Sequence, residues 1–397
     1  MLPALPDLTL PRDGAQTLRR VLANDWSLLA RQLLEGARAE ASTPLGDRVA
    51  ERVASVLGTH PSAVVAVARR PSVASRLSHA RAVQPMDSRA ASRWRRAALH
   101  DVALEMAVAG WLGGELALSR EGEQWPALRS PSLHAELCVD AGVARVALKP
   151  GAMVLDGRAV DLRGPLESVP GLHVREAWRD LDDRLALALW DENPVAHVGF
   201  HPERPANLVD LGGRSVESWC DALREALALV TAHLPVLTPE RRLLAQVLVP
   251  VGAAAERHFS CTYENAPGAT YLSLHPDPVK MAEALVHEFQ HDKLHAALRL
   301  DPLLANGDDD GFRSPVRPDP RPLRGVLLAV HAFVAVATLY AAMRDAGHPA
   351  SAHPRFAARV AEVDDANREA MAVLRAHGRW TPTGSQLWSE LRALTGE

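Results

Sequence analysis

Lysine is nearly missing from this chain: it occurs only at positions 149, 280 and 293, so the rest of the 44 basic residues are arginine. Together with abundant Ala, Pro and Val, this looks like a GC-rich coding bias. Acidic residues almost balance the basic ones, at a formal charge of -4. That removes the electrostatic reason to expect a nucleic acid or an anionic membrane surface as partner. Cysteine is scarce: Cys138, Cys220 and Cys261 lie far apart without a C-x-x-C pair. This argues against a disulfide framework or a thiolate zinc site and for a reducing, cytoplasmic setting. The opening residues lack the basic and then apolar pattern of a secretory signal. Neither a P-loop nor a G-x-G-x-x-G nucleotide fingerprint is present, and there is no G-x-S-x-G nucleophile elbow. One apolar run, 326–343, approaches membrane-spanning length, but His331 interrupts it and nothing comparable accompanies it. A buried core helix is the better reading.

What is present divides into three regions and predicts an α+β, mostly helical fold. Residues 1–125 form a helical N-terminal region, in which apolar residues such as Leu18, Val21, Leu22, Leu29 and Leu33 recur at helical spacing. Further helical windows fall at 45–57 and 87–110, and the basic run from Arg93 to Arg96 reads as a solvated helix face. Residues 126–212 form a β-rich middle region. An Asp156-Gly157 turn there predicts a hairpin from Ala152 to Val160, and other strand candidates are 134–139, 173–178, 185–190 and 197–201. Residues 213–397 form a helical metal-binding domain that includes a helix at 215–233 and another whose N-cap is predicted to be Thr238.

The chemistry concentrates in His287-Glu288-Phe289-Gln290-His291, on a helix with Asp277 as N-cap and Pro278 in its first turn. At 100° per residue the two histidines lie ~40° apart on the helical wheel and one turn apart along the axis, so both imidazoles can reach one cation. Glu288 projects beside them as the catalytic candidate. His295 continues the stripe but lies ~12 Å from His287 along the axis, too far to share an ion with it. A third ligand is therefore sought elsewhere. His331 is chosen as the ionisable group of the apolar helix, with Glu264, the Asp308–Asp310 run and Glu362 as alternatives. Arg317, Arg321 and Arg324 emerge from a proline-stiffened segment and are candidates for binding a carboxylate. Segments 259–263 and 270–274 predict a hairpin whose edge can align an extended peptide.

Two chemistries use these ligands. Zinc would activate water with Glu288 as general base, as in a peptidase. Here Asp292 and Lys293 depart from the usual zincin helix, and the third histidine of the metzincin extension is replaced by Ala297. Non-haem iron would instead leave positions for a 2-oxo acid and O₂. The run from Leu285 to Leu294, the segment Arg317-Pro318-Asp319-Pro320-Arg321-Pro322-Leu323, and Gly325 opening an apolar helix resemble a bacterial family of HExxH-motif peptide-modifying proteins. The resemblance covers roughly 240–345, and more loosely Leu10 to Gly14. It implies a 2-oxoglutarate-dependent dioxygenase, a peptide β-hydroxylase using Fe(II), with His287 and His291 as ligands. The implied partner is a ribosomally synthesised precursor peptide, in RiPP biosynthesis that often includes a radical-SAM maturase. A third reading is a metal-containing, non-catalytic peptide-binding partner of such a maturase.

Overall fold

The computed structural model describes residues 7–41, 47–120, 123–191, 193–194, 208–253, 258–314 and 317–397. Helices open the chain: α1 (Gln16–Ala41), α2 (Asp47–Thr59), α3 (Pro61–Ala68), α4 (Pro71–Val83) and α5 (Ser88–Val108). Pro61 and Pro71 stand in first turns, where a missing N–H removes no helical hydrogen bond. Short strands follow: β1 (Leu116–Ala117), β2 (Leu128–Ser130), β3 (Ala135–Val139), β4 (Val146–Lys149), β5 (Ala152–Leu155), β6 (Arg158–Asp161), β7 (Leu172–Glu176), β8 (Trp178–Asp180) and β9 (Ala186–Ala188). The remainder is α6 (Val216–His233), α7 (Thr238–Leu244), β10 (Val247–Ala253), β11 (Ser260–Thr262), β12 (Ala269–Leu274), α8 (Pro278–Leu298), β13 (Phe312–Ser314), β14 (Arg317–Arg321), α9 (Leu323–Asp345), α10 (Pro354–His377) and α11 (Pro382–Thr395). The fold is α+β and mostly helical.

The Asp156-Gly157 turn forms with both residues at positive φ, 47° and 87°, the conformation an Asp-Gly hairpin requires. The segment 173–178 divides between β7 and β8, which belong to different sheets. The strand predicted at 197–201 lies outside the described residues. Thr238 is not an N-cap. A 3₁₀ turn at Pro235–Leu237 runs straight into α7, so Thr238 takes helical angles (φ -59°, ψ -45°) and cannot turn its hydroxyl back to the first amides. The proline-rich segment at 317–321 is a strand paired with β13. Proline is tolerated there because a two-stranded ribbon has only edges.

The hydrophobic clusters do not follow the three sequence regions. One runs from Leu29 in α1 through α5 to Leu172, joining helices to the first strands. Another gathers Leu18, Val21 and Leu22 of α1 with α8, α9, α10 and α11. Further clusters flank a five-stranded sheet of order β11-β12-β10-β9-β8, in which β10 is parallel to both β9 and β12 and β11 runs antiparallel at the edge. Leu248 and Leu272 turn one face of this sheet toward Leu285 and Phe289 of α8. Val247, Val249 and Tyr271 occupy the opposite face, as strand alternation requires. Among the described residues, α9 is the helix long and apolar enough to cross a membrane, yet 72% of its apolar window is buried inside the protein, as a core helix would be.

Candidate metal centre

Helix α8 begins where β12 ends, so the sheet fixes its direction. Asp277 caps it by accepting the Val279 amide at 2.9 Å. His287 and His291 fall on the same stripe, with ring centroids 4.4 Å apart and ring planes at 83°. Both stay partly exposed while Val286, Glu288, Phe289 and Gln290 around them are buried. Phe333 of α9 packs its ring edge 4.6 Å from His287. Burial, and secondarily the Arg359 charge, lowers the His287 pKa to about 4. Burial and then His287 hold His291 well below the ordinary value. Both imidazoles are thus neutral at physiological pH, the form that binds a metal. The buried Nδ1 of His291 has no hydrogen-bond partner among the described residues.

Glu288 turns from this pair toward the sheet edge. Ser260 Oγ donates to its Oε1 at 2.7 Å and Thr262 Oγ1 to its Oε2 at 2.8 Å, both from β11. Burial raises its pKa to about 7, while the two hydroxyls pull the other way. Asp292 and Lys293, the residues that depart from the zincin pattern, serve the fold. Asp292 accepts the Gly268 amide at 2.9 Å, just before β12. Lys293 forms a buried ion pair with Glu240 and donates to the Thr9 carbonyl at 3.0 Å. Gln290 donates to the same carbonyl at 2.9 Å, and Glu390 of α11 accepts the Thr9 amide at 2.8 Å. The chain near its start is therefore threaded between α8 and α11, which no local pattern announced.

His331 is fully buried in α9. Neither ring nitrogen makes a hydrogen bond, although backbone groups of Leu8 and Gln290 come close enough to offset part of its desolvation. Its charge environment includes Lys293 and His291, but among the described residues no three His, Cys, Asp or Glu side chains form a metal-holding group. His295 is buried, its ring 6.2 Å from that of His291. The other ligand candidates are engaged elsewhere. Glu264 is exposed, Asp308 pairs with Arg324, and Glu362 pairs with Arg359. Arg321 pairs with Asp319 at 3.1 Å and Arg324 with Asp308 at 2.8 Å. Arg324 precedes His331 by roughly 10 Å along α9. The side chain of Arg317 lies outside the described residues.

The arginine that reaches the histidine pair is Arg359 of α10, which sequence reasoning missed. It pairs with Glu283, one turn before His287, and its guanidinium lies 5.8 Å from the Phe333 ring centroid. Tyr340 donates its hydroxyl to the same Glu283 at 2.5 Å. The i,i+4 spacing of Glu283 and His287 was the only sequence signal for this neighbourhood. No model of a known protein family matches the chain, and no curated protein is significantly similar to it.

Proposed function

We propose that this protein is a cytoplasmic, non-haem Fe(II) and 2-oxoglutarate-dependent hydroxylase. Its substrate would be a Cβ–H bond in a ribosomally made precursor peptide, and it would work alongside a radical-SAM maturase. The observation that carries the reading is the engagement of Glu288. A general base needs an oxygen turned to the metal-bound water. Here both oxygens accept hydroxyls from β11, which suits a residue that positions the helix against the strand. The neutral, convergent imidazoles and the orphaned His291 Nδ1 fit a metal held by His287 and His291, with His331 as the proposed third donor. Iron bound there would supply activation of O₂ coupled to oxidation of the 2-oxo acid.

The chain's own residues do the rest. Phe333 walls the histidine pair, and β11 offers a sheet edge to an extended peptide. Arg321 and Arg324 could serve the distal carboxylate only after exchanging Asp319 and Asp308. Arg359 is better placed, because it already stands beside the histidine pair, held by Glu283 one turn before His287 and 5.8 Å from the Phe333 ring centroid.

Zinc-dependent peptide hydrolysis is the second reading. It is favoured by the Glu288 carboxyl, which titrates near neutrality one residue from His287. Anaerobic titration with Fe(II) and 2-oxoglutarate decides between them. A weak visible charge-transfer band that is lost in His287→Ala is the expected result. Stoichiometric zinc binding without that band would transfer the case to hydrolysis or to a non-catalytic peptide-binding role.

A further inference from the structure

One cavity opens on the face of the sheet turned away from α8, and another, lined chiefly from α1, α6 and α7, shares Arg69 and Arg184 with it. The larger, about 680 Å³, is lined by Arg19, Arg69, Arg184 and Arg242, with no Asp or Glu in its wall. Carboxylates stand instead in the adjoining cavity, where Asp180, Asp183 and Asp191 line the wall, and Asp183 pairs with both Arg242 and Arg184. Arg69 is mostly buried and makes no ion pair among the described residues. It donates to the Leu243 carbonyl at 3.3 Å, stacks 4.7 Å from the Trp26 ring centroid, and feels the like charges of Arg184 and Arg70. In a chain of net negative charge this is a concentrated cationic surface.

The smaller cavity, about 410 Å³, has a different character. Trp178 and Trp190 give it apolar walls, and Asn193 lines it at 2% exposure. The Asn193 amide nitrogen donates to the Tyr271 hydroxyl at 3.1 Å, which fixes the side chain, while its Oδ1 is buried without a partner among the described residues. An orphaned buried acceptor calls for an N–H donor. The arginines of the larger cavity, with no carboxylate in its wall, call for anions. Indole walls accept apolar side chains. A peptide with acidic and apolar residues offers all three from one chain, since its backbone supplies the N–H.

We infer that these joined cavities dock an acidic, apolar-containing stretch of the peptide substrate, remote from the segment presented to the metal helix. The inference rests on the peptide-modifying reading given above. Because the Trp-walled cavity and α8 lie on opposite faces of one sheet, recognition and reaction use different parts of the same substrate.

The test is fluorescence anisotropy of the full chain, without metal, against a labelled peptide of alternating Glu and Leu. A Lys-Leu peptide and polyuridine serve as controls. Arg19 and Arg184 are exposed, so the Arg19→Glu, Arg184→Glu double variant should fold; circular dichroism checks this. The Glu-Leu peptide is expected to bind, and the double variant to weaken it by at least about tenfold. Raising salt from about 50 to about 500 mM is expected to weaken it as well. Asn193→Leu, which fills the cavity floor, is expected to weaken binding without changing its salt dependence. His287→Ala is expected to leave binding intact, so arginine-dependent binding stands even if no hydroxylation is found. Binding unchanged in the double variant, or equal binding of the Lys-Leu peptide or polyuridine, would overturn the docking inference while leaving the metal centre untouched.

Discussion

Ser260 and Thr262 each donate a hydroxyl to Glu288, and removing them separates a structural contact from a chemical one. In a Ser260→Ala, Thr262→Val variant the buried carboxyl keeps its desolvation and loses its donors. Stability should fall by about 2–4 kcal/mol in urea denaturation. Adding Glu288→Leu should recover most of that loss, because no unsatisfied polar atom then remains. A triple variant as unstable as the double would show that the three side chains are not coupled. The His287–His291 pair was readable from sequence because both residues belong to one helix, whose period alone brings the rings together. The hydroxyls come from a strand 28 and 26 residues earlier, and Arg359 reaches Glu283 across 76 residues. No local periodicity encodes contacts of that range.

Among the elements, α11 depends on a segment at the other end of the chain. Glu390 accepts the amides of Thr9 and Leu10, and Leu8 packs with Leu387 and Leu391. Deleting residues 1–10 strips these contacts and uncovers the buried Lys293–Glu240 pair. Hydrogen exchange should then speed up in α11 while α5, which packs in a separate cluster, keeps its protection. Equal protection of α11 in the shortened chain would mean that α9 and α10 hold it unaided. The α8 cap, the Asp-Gly hairpin and the buried α9 were legible because each rests on local chemistry. Thr238 misled because Thr-Pro-Glu is a good capping sequence, and only the preceding 3₁₀ turn, set by tertiary packing, removes the need for a cap.

Over the whole molecule, buried imidazoles set the response to acid. Burial lowers His100, His258 and His287 from 6.5 to about 4, and His291, His295 and His331 also lie well below 6.5. Their contribution to stability is complete above pH 6.5 and is lost as pH falls through the folded values, since the unfolded chain takes up protons that the fold refuses. Five carboxyls act in the opposite sense, Asp101 and Glu240 among them. Glu288 and Asp292 are raised to about 7 and Glu390 to about 6, so their contribution is present at low pH and is lost as pH rises through those values. With His79 and His233 also lowered, eight imidazoles outweigh five carboxyls, and the thermal midpoint should drop as pH falls from 6.5 to 4.5. A midpoint that holds or rises over this window would show that these imidazoles are not held neutral.

The contact between Thr9 and Glu390 spans 381 residues and so has a meaning in time as well as in space. A ribosome makes Thr9 well before it makes α11. Until α11 emerges, the Thr9 carbonyl that receives Gln290 and Lys293 has no partner to hold it from the far side. During synthesis α8 is therefore missing one of its walls until α11 follows, and the packing around it closes only then.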